Sequence, residues 1–184
     1  SVVPATVDIV DIAGLVRGAS KGEGLGNQFL ANIRECDAIL HVLRCFDDGN
    51  VVHVDGSVDP VRDKEVVDTE LQIKDLETVE ARLAKAGKAG KAGDKDAALL
   101  TRYKDALEQG RGCRSVALFN EEEVAIAHDL FLLTNKPVMY VCNVDDASAV
   151  NGNSYVDAVR EAVKDENAEI LVISARTESE IAEM

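Results

Sequence analysis

Apolar residues gather in short runs at residues 6–11, 38–45, 138–143 and 169–174. Each run is rich in β-branched side chains and lacks strict alternation, the pattern of strands covered on both faces. Helical spacing fills the stretches between them, so the runs predict an α/β fold, a parallel sheet with right-handed crossovers. Residues 26–35 read as the first helix. Asn120 with Glu123 predicts a capping box for a helix running to about residue 134, before Pro137 bars continuation. Ser154 with Asp157 marks another helix start, with Val156, Val159 and Val163 on one face, and a last helix begins near Glu178.

Between residues 63 and 112 the period changes. Leu76, Val79, Leu83 and Ala86 are spaced three, four, three, and so are Leu100, Tyr103, Leu107 and Gly110. Two such stripes with a short tip predict an antiparallel helical hairpin set between the second and third strands. Residues 1–62 and 113–184 are then two parts of one sheet domain, and 63–112 is the insert. The tip repeats Gly-Lys-Ala and carries Lys85, Lys88, Lys91 and Lys95. It reads as a solvated turn, with contact to RNA as the functional alternative.

Composition narrows the function classes. Of 184 residues 46% are hydrophobic, only 4% aromatic and none is tryptophan, so the core rests on Val, Ile, Leu and Ala. No apolar run approaches the ~20 residues that cross a bilayer, and no charged-then-apolar leader precedes the first strand. The expectation is a cytoplasmic protein with no membrane partner. A formal net charge of −14 argues against a free-standing nucleic-acid binder, DNA included, because phosphate contacts need Lys and Arg in excess. Cys36, Cys45, Cys113 and Cys142 lack C-x-x-C spacing and read as reduced thiols rather than as disulfides or a zinc site.

Candidate chemistry is densest at residues 6–30. An apolar run ends in Asp11-Ile12-Ala13-Gly14 and opens into a glycine-rich segment. An aspartate at a strand's carboxyl end can hold Mg²⁺ through a water, and a glycine three residues later lets its amide approach a terminal phosphate. D-x-x-G alone is a weak pattern, and it also describes a strand ending in an ordinary turn. The nearby Gly22-Glu23-Gly24 and Gly24-Leu25-Gly26 lack the third glycine of a dinucleotide loop. A segment that orders around γ-phosphate fits the glycine density better.

The surrounding residues go further. VDIVDIAGLVRGASKGEGLGNQFL, from Val7 to Leu30, resembles the switch II region of the Obg-like ATPases, the YchF family. Matches continue through Asn32-Ile33-Arg34-Glu35, His41-Val42-Leu43-Arg44-Cys45-Phe46, Val51-Val52-His53-Val54, Thr69-Glu70-Leu71, Gly93-Asp94-Lys95-Asp96, Lys136-Pro137-Val138-Met139-Tyr140 and Asn143. The resemblance implies a P-loop NTPase (G-domain) sheet carrying a coiled-coil insert. It also implies a nucleotide-hydrolysing switch that takes ATP or GTP, with Mg²⁺ and K⁺ as its candidate cations and a ribosome or ribosomal subunit as partner. No window satisfies G-x-x-x-x-G-K-[ST]: at Gly87-Lys88 and Gly90-Lys91 the next residue is Ala. The chain is therefore expected to be a fragment, without the P-loop and the TGS domain of the family. By itself it is expected to bind and hydrolyse neither nucleotide.

Site residues follow from the same resemblance. Asp11 is the candidate metal residue and Gly14 the γ-phosphate sensor. Leu15 stands where many GTPases carry the glutamine that orients water, and His53 is the proposed catalytic substitute. On composition a lone histidine beside valines is more often a packed or surface side chain. Asn143-Val144-Asp145-Asp146 aligns with the base-reading N-K-x-D, with the lysine replaced by Val144 and with Asp146 where the family carries glutamate. Ser174-Ala175 matches the element whose amide touches the base. The alternative function is a non-catalytic interaction module that presents the hairpin.

Overall fold

The structure is a computed structural model and describes residues 3–12, 18, 26–49, 56–88 and 94–184. Three of the apolar runs form strands, β1 (Ile39–Arg44), β2 (Val138–Asn143) and β3 (Glu169–Ile173). They lie in the order β1-β2-β3, parallel throughout, with Leu43 opposite Cys142 and Cys142 opposite Val172. The run at residues 6–11 is a correction: it is exposed chain outside the sheet. A strand needs a paired neighbour to complete its ladder, and none of the described strands pairs with this run.

Coverage of both sheet faces is a second correction. One face places Leu43, Tyr140 and Cys142 against Val156, Val159 and Val163 of α5 (Ser154–Val163), all buried. The other exposes Leu40, Val42, Met139 and Leu171. α1 (Gly26–Glu35) buries Leu30 and Ile33 against Leu71 and Leu133.

α2 (Pro60–Ala86) and α3 (Asp94–Glu108) form the helical pair. Lys104 meets Glu80 at 3.0 Å and Gln72 meets the Gly110 carbonyl at 3.1 Å, so the chain positions run in opposite senses and the pair is antiparallel. Val79, Leu99, Leu100 and Tyr103 are wholly buried between them. Each such side chain contributes roughly 1.5–3 kcal/mol, whereas exposed ion pairs contribute about 0–1 kcal/mol; the apolar seam decides the packing. α2 starts ahead of its stripe because Asp59 Oδ1 accepts the Arg62 amide at 3.0 Å and Pro60 suits the first turn. Gly110 is not a seam residue. With φ of 72° it closes α3, its amide donating to Leu107 and that of Arg111 to Ala106, the paired bonds of a Schellman ending.

The remaining helices adjust four expectations. α4 (Glu121–Leu130) stops at left-handed Phe131, short of residue 134. Asn120 caps it through the Glu123 amide at 2.9 Å, but Glu123 returns its bond to Phe119 rather than to Asn120, since it also pairs with Arg102. Asn153, not Ser154, caps α5, and α6 (Ala175–Ala182) begins at Ala175 rather than near Glu178, with Ser174 as its cap. The four cysteines are free thiols. Among the described residues no helix is long and apolar enough to cross a membrane.

Two polar joints fasten α2 to the sheet domain. At its start, Lys64 pairs with Asp68 at 2.6 Å and Glu166 at 3.1 Å, and Tyr140 donates to Glu166 at 2.7 Å. His41 lies against the Tyr140 ring, centroids 5.8 Å apart. Further along, buried Asp75 accepts the Leu133 amide at 2.8 Å, the Thr134 amide at 2.7 Å and the Thr134 hydroxyl at 2.6 Å.

Candidate functional site

The carboxyl ends of β2 and β3 are drawn together by residues 143–146 and 174–177. Asn143 ends β2. Its carbonyl accepts the Cys45 amide at 2.8 Å, and the Val144 amide donates to Ile173 at 2.8 Å, which aligns all three strand ends. Asn143 Oδ1 accepts the Ala175 amide at 3.0 Å. The side chain therefore braces one loop against the next.

Asp146 sits in the turn after β2 and is exposed. Its Oδ1 accepts the Ser174 hydroxyl and, at 2.6 Å, the Thr177 hydroxyl. These two donors hold its carboxyl below the usual carboxylate range. Ser174 is buried and accepts the Thr177 amide at 3.3 Å as the cap of α6. Thr177 has one hydroxyl proton, and the carboxylate at 2.6 Å takes it in preference to Ser174 at 3.1 Å.

Two placements qualify the sequence reading. Val144 is buried beside Leu43, Cys45 and Val156, so only its backbone faces the site. The Ala175 amide, expected at a base, is directed to Asn143. Thr177 was not singled out in the sequence, although its position three residues past a capping serine was the available signal. Asn143, Asp146, Ser174 and Ala175 thus form one bonded group.

The loop after β1 is held from α5. Asn153 Nδ2 donates to the Cys45 carbonyl and Tyr155 OH to Asp47, each at 2.7 Å. Arg44 lies over the Phe46 ring at 4.8 Å and donates to its carbonyl at 3.1 Å. His53, further along, lies outside the described residues, as do Gly14 and Leu15.

Asp11 is exposed, while its neighbour Ile12 packs against the cluster of Leu30, Ile33, Leu71 and Leu133. No group of three or more metal-type side chains occurs among the described residues. A groove of about 320 Å³ lined by Arg160, Lys164, Asn167 and Glu169 lies at the opposite end of β3 from Ala175, away from these groups.

Known proteins resemble this chain in sequence and in fold. Residues 2–85 match the family described as 50S ribosome-binding GTPase. The chain is 48% identical to the ribosome-binding ATPase YchF of Bacillus subtilis (strain 168) over 99% of its own length and 51% of that protein. It is 47% identical to the protein of the same name from Escherichia coli O157:H7, over 98% and 50% respectively. The structure of the Schizosaccharomyces pombe YchF GTPase superimposes with a TM-score of 0.78 at 34% identity, covering 94% of this chain and 49% of that one. The chain spans about half the length of the curated relatives it matches. The sheet is thus that of a G domain, and the chain is homologous over nearly its whole length to the proteins named YchF.

Proposed function

We propose that the protein carrying this chain is a nucleoside-triphosphate-hydrolysing switch that works with the ribosome, and that this chain supplies its base-reading loop, phosphate-sensing segment and helical insert. The observation that carries this reading is the group at Asn143, Asp146, Ser174 and Ala175, which fixes a carboxylate at the end of a parallel sheet. Ligands of open parallel sheets bind outside the carboxyl ends of the strands. Both hydroxyls reach Asp146 through Oδ1, so Oδ2 is the oxygen available to donors on a base. Asn143 and Ala175 keep the loop in place, and Ser174 and Thr177 keep Asp146 ionised.

Asp11 would hold Mg²⁺ when the nucleotide brings it, and that ion would neutralise charge on the transferring phosphoryl group. Gly14 would sense γ-phosphate, and His53 would take the place left by Leu15 in handling water. The ribosome as partner rests on the names of the relatives. In this reading residues 63–112 are an insert in a sheet domain made of 1–62 and 113–184.

The second reading, a module that presents the hairpin without catalysis, draws on the separate core that Val79, Leu99 and Tyr103 form with α4. Titration and turnover assays of the whole protein with Mg²⁺-ATP and Mg²⁺-GTP separate the two. With Val144 in place of lysine, ATP should bind at least as well as GTP, and Asp146→Ala should weaken binding. His53→Ala should lower kcat at unchanged affinity. Absence of turnover with both nucleotides would favour the module.

A further inference from the structure

Within one stretch of α2, successive residues hold three separate parts of the molecule. The Gly18 amide, 52 positions before its acceptor, donates to Glu70 Oε1 at 2.7 Å. Glu70 is buried at 7% exposure. Ile12, on the other side of Gly14, packs against the apolar cluster that contains Leu71 of the same helix. Gln72 then donates to the Gly110 carbonyl at 3.1 Å, at the end of α3. Asp75 receives the Leu133 and Thr134 amides just before β2.

These contacts differ in kind. Ile12 makes an apolar contact that can slide, whereas an amide on a carboxylate is directional and roughly twice as strong as a neutral hydrogen bond. Gly18 has φ of 85°, a conformation that side-chain-bearing residues rarely adopt. Its amide is therefore aimed at Glu70 by a backbone state that few residues can reach.

We propose that Glu70 is a positioning residue through which α2 holds the segment following Asp11, so that a nucleotide-driven shift of that segment is passed along the helix to Asp75 and its partners Leu133 and Thr134. The proposal rests on the nucleotide-switch reading above. Glu70 touches no reacting atom. Its effect is to make the position of the hairpin helix and that of the phosphate-sensing segment depend on each other, and such coupling is reciprocal.

Residue-resolved amide hydrogen exchange on the whole protein, with and without Mg²⁺-ATP, tests this. In the wild type, nucleotide should change exchange at the Gly18, Leu133 and Thr134 amides together, by about fivefold or more, the lower end of ordinary coupling. Glu70→Met, which keeps bulk and removes the acceptor, should keep nucleotide binding and lose the response at Leu133 and Thr134. Glu70→Gln, which retains a carbonyl acceptor, should restore it. A Glu70→Met protein that responds like the wild type would overturn the proposal. So would a wild type that binds nucleotide with no change at Leu133 and Thr134, a result that needs no variant to fold and leaves the nucleotide-switch reading intact. A wild type that binds no nucleotide would remove both.

Discussion

Asn143 and Ala175, 32 positions apart, are joined by a 3.0 Å bond from the Ala175 amide to the Asn143 side-chain oxygen. Because Asn143 also lies at the end of β2 and Ala175 at the start of α6, this bond fixes where the loop bearing Asp146 stands relative to Ser174 and Thr177. A net hydrogen bond of this kind contributes about 1 kcal/mol. Asn143→Ala should therefore lower unfolding stability by about that amount and weaken nucleotide binding by about fivefold. Urea unfolding and titration check the two effects separately; unchanged affinity would show that the loop needs no brace.

Asp75 offers a test of what holds the hairpin to the sheet. Its carboxylate satisfies two backbone amides and one hydroxyl in a fully buried setting. Burial pushes its carboxyl up, and the Thr134 and Leu133 bonds act against that shift. Asp75→Ala leaves the donors unpaired, at about 1–3 kcal/mol for each group that water cannot reach. The expected loss is roughly 3 kcal/mol, read from the urea midpoint at constant slope. A loss well below 1 kcal/mol would mean that water replaces the carboxylate.

His41 sets an acid limit on stability. Burial against Tyr140 and α2 lowers its pKa from 6.5, while Asp68, Asp63 and Glu166 raise it and Lys64 lowers it further. The unfolded chain then binds a proton near pH 6.5 that the folded chain refuses until lower pH. Stability is therefore highest above the unfolded value and falls as pH drops below it, levelling only once the folded histidine titrates. His41→Phe keeps a ring against Tyr140 and removes the titration. Urea midpoints compared at pH 7 and pH 5.5 should drop less in the variant than in the wild type; equal drops would place the acid sensitivity elsewhere.

The amino-acid sequence by itself determined the parts whose cause is local. Asn120 before α4 and the three-four-three spacing of Val79 and Leu83 act over a few residues, so their helices form, although α2 starts earlier than its stripe and α4 ends sooner than expected. The apolar runs at Ile39–Arg44, Val138–Asn143 and Glu169–Ile173 likewise announce strands, and the family resemblance singled out Asn143, Asp146 and Ser174, which hydrogen bonds bring into one group. Only the tertiary structure decided where long-range partners were needed. Residues 6–11 have strand character but pair with none of the described strands, so they form none. Leu40 and Val42 stay exposed because packing, not periodicity, settles which sheet face is covered. The Ala175 amide turned to Asn143, Thr177 joined Asp146, and Glu70 and Asp75, two ordinary acids on an amphipathic helix, became buried acceptors for Gly18, Leu133 and Thr134. Helix capping and periodicity are read from neighbours in the chain, whereas the partner of a buried carboxylate is fixed only when segments 52 or more positions apart are packed together.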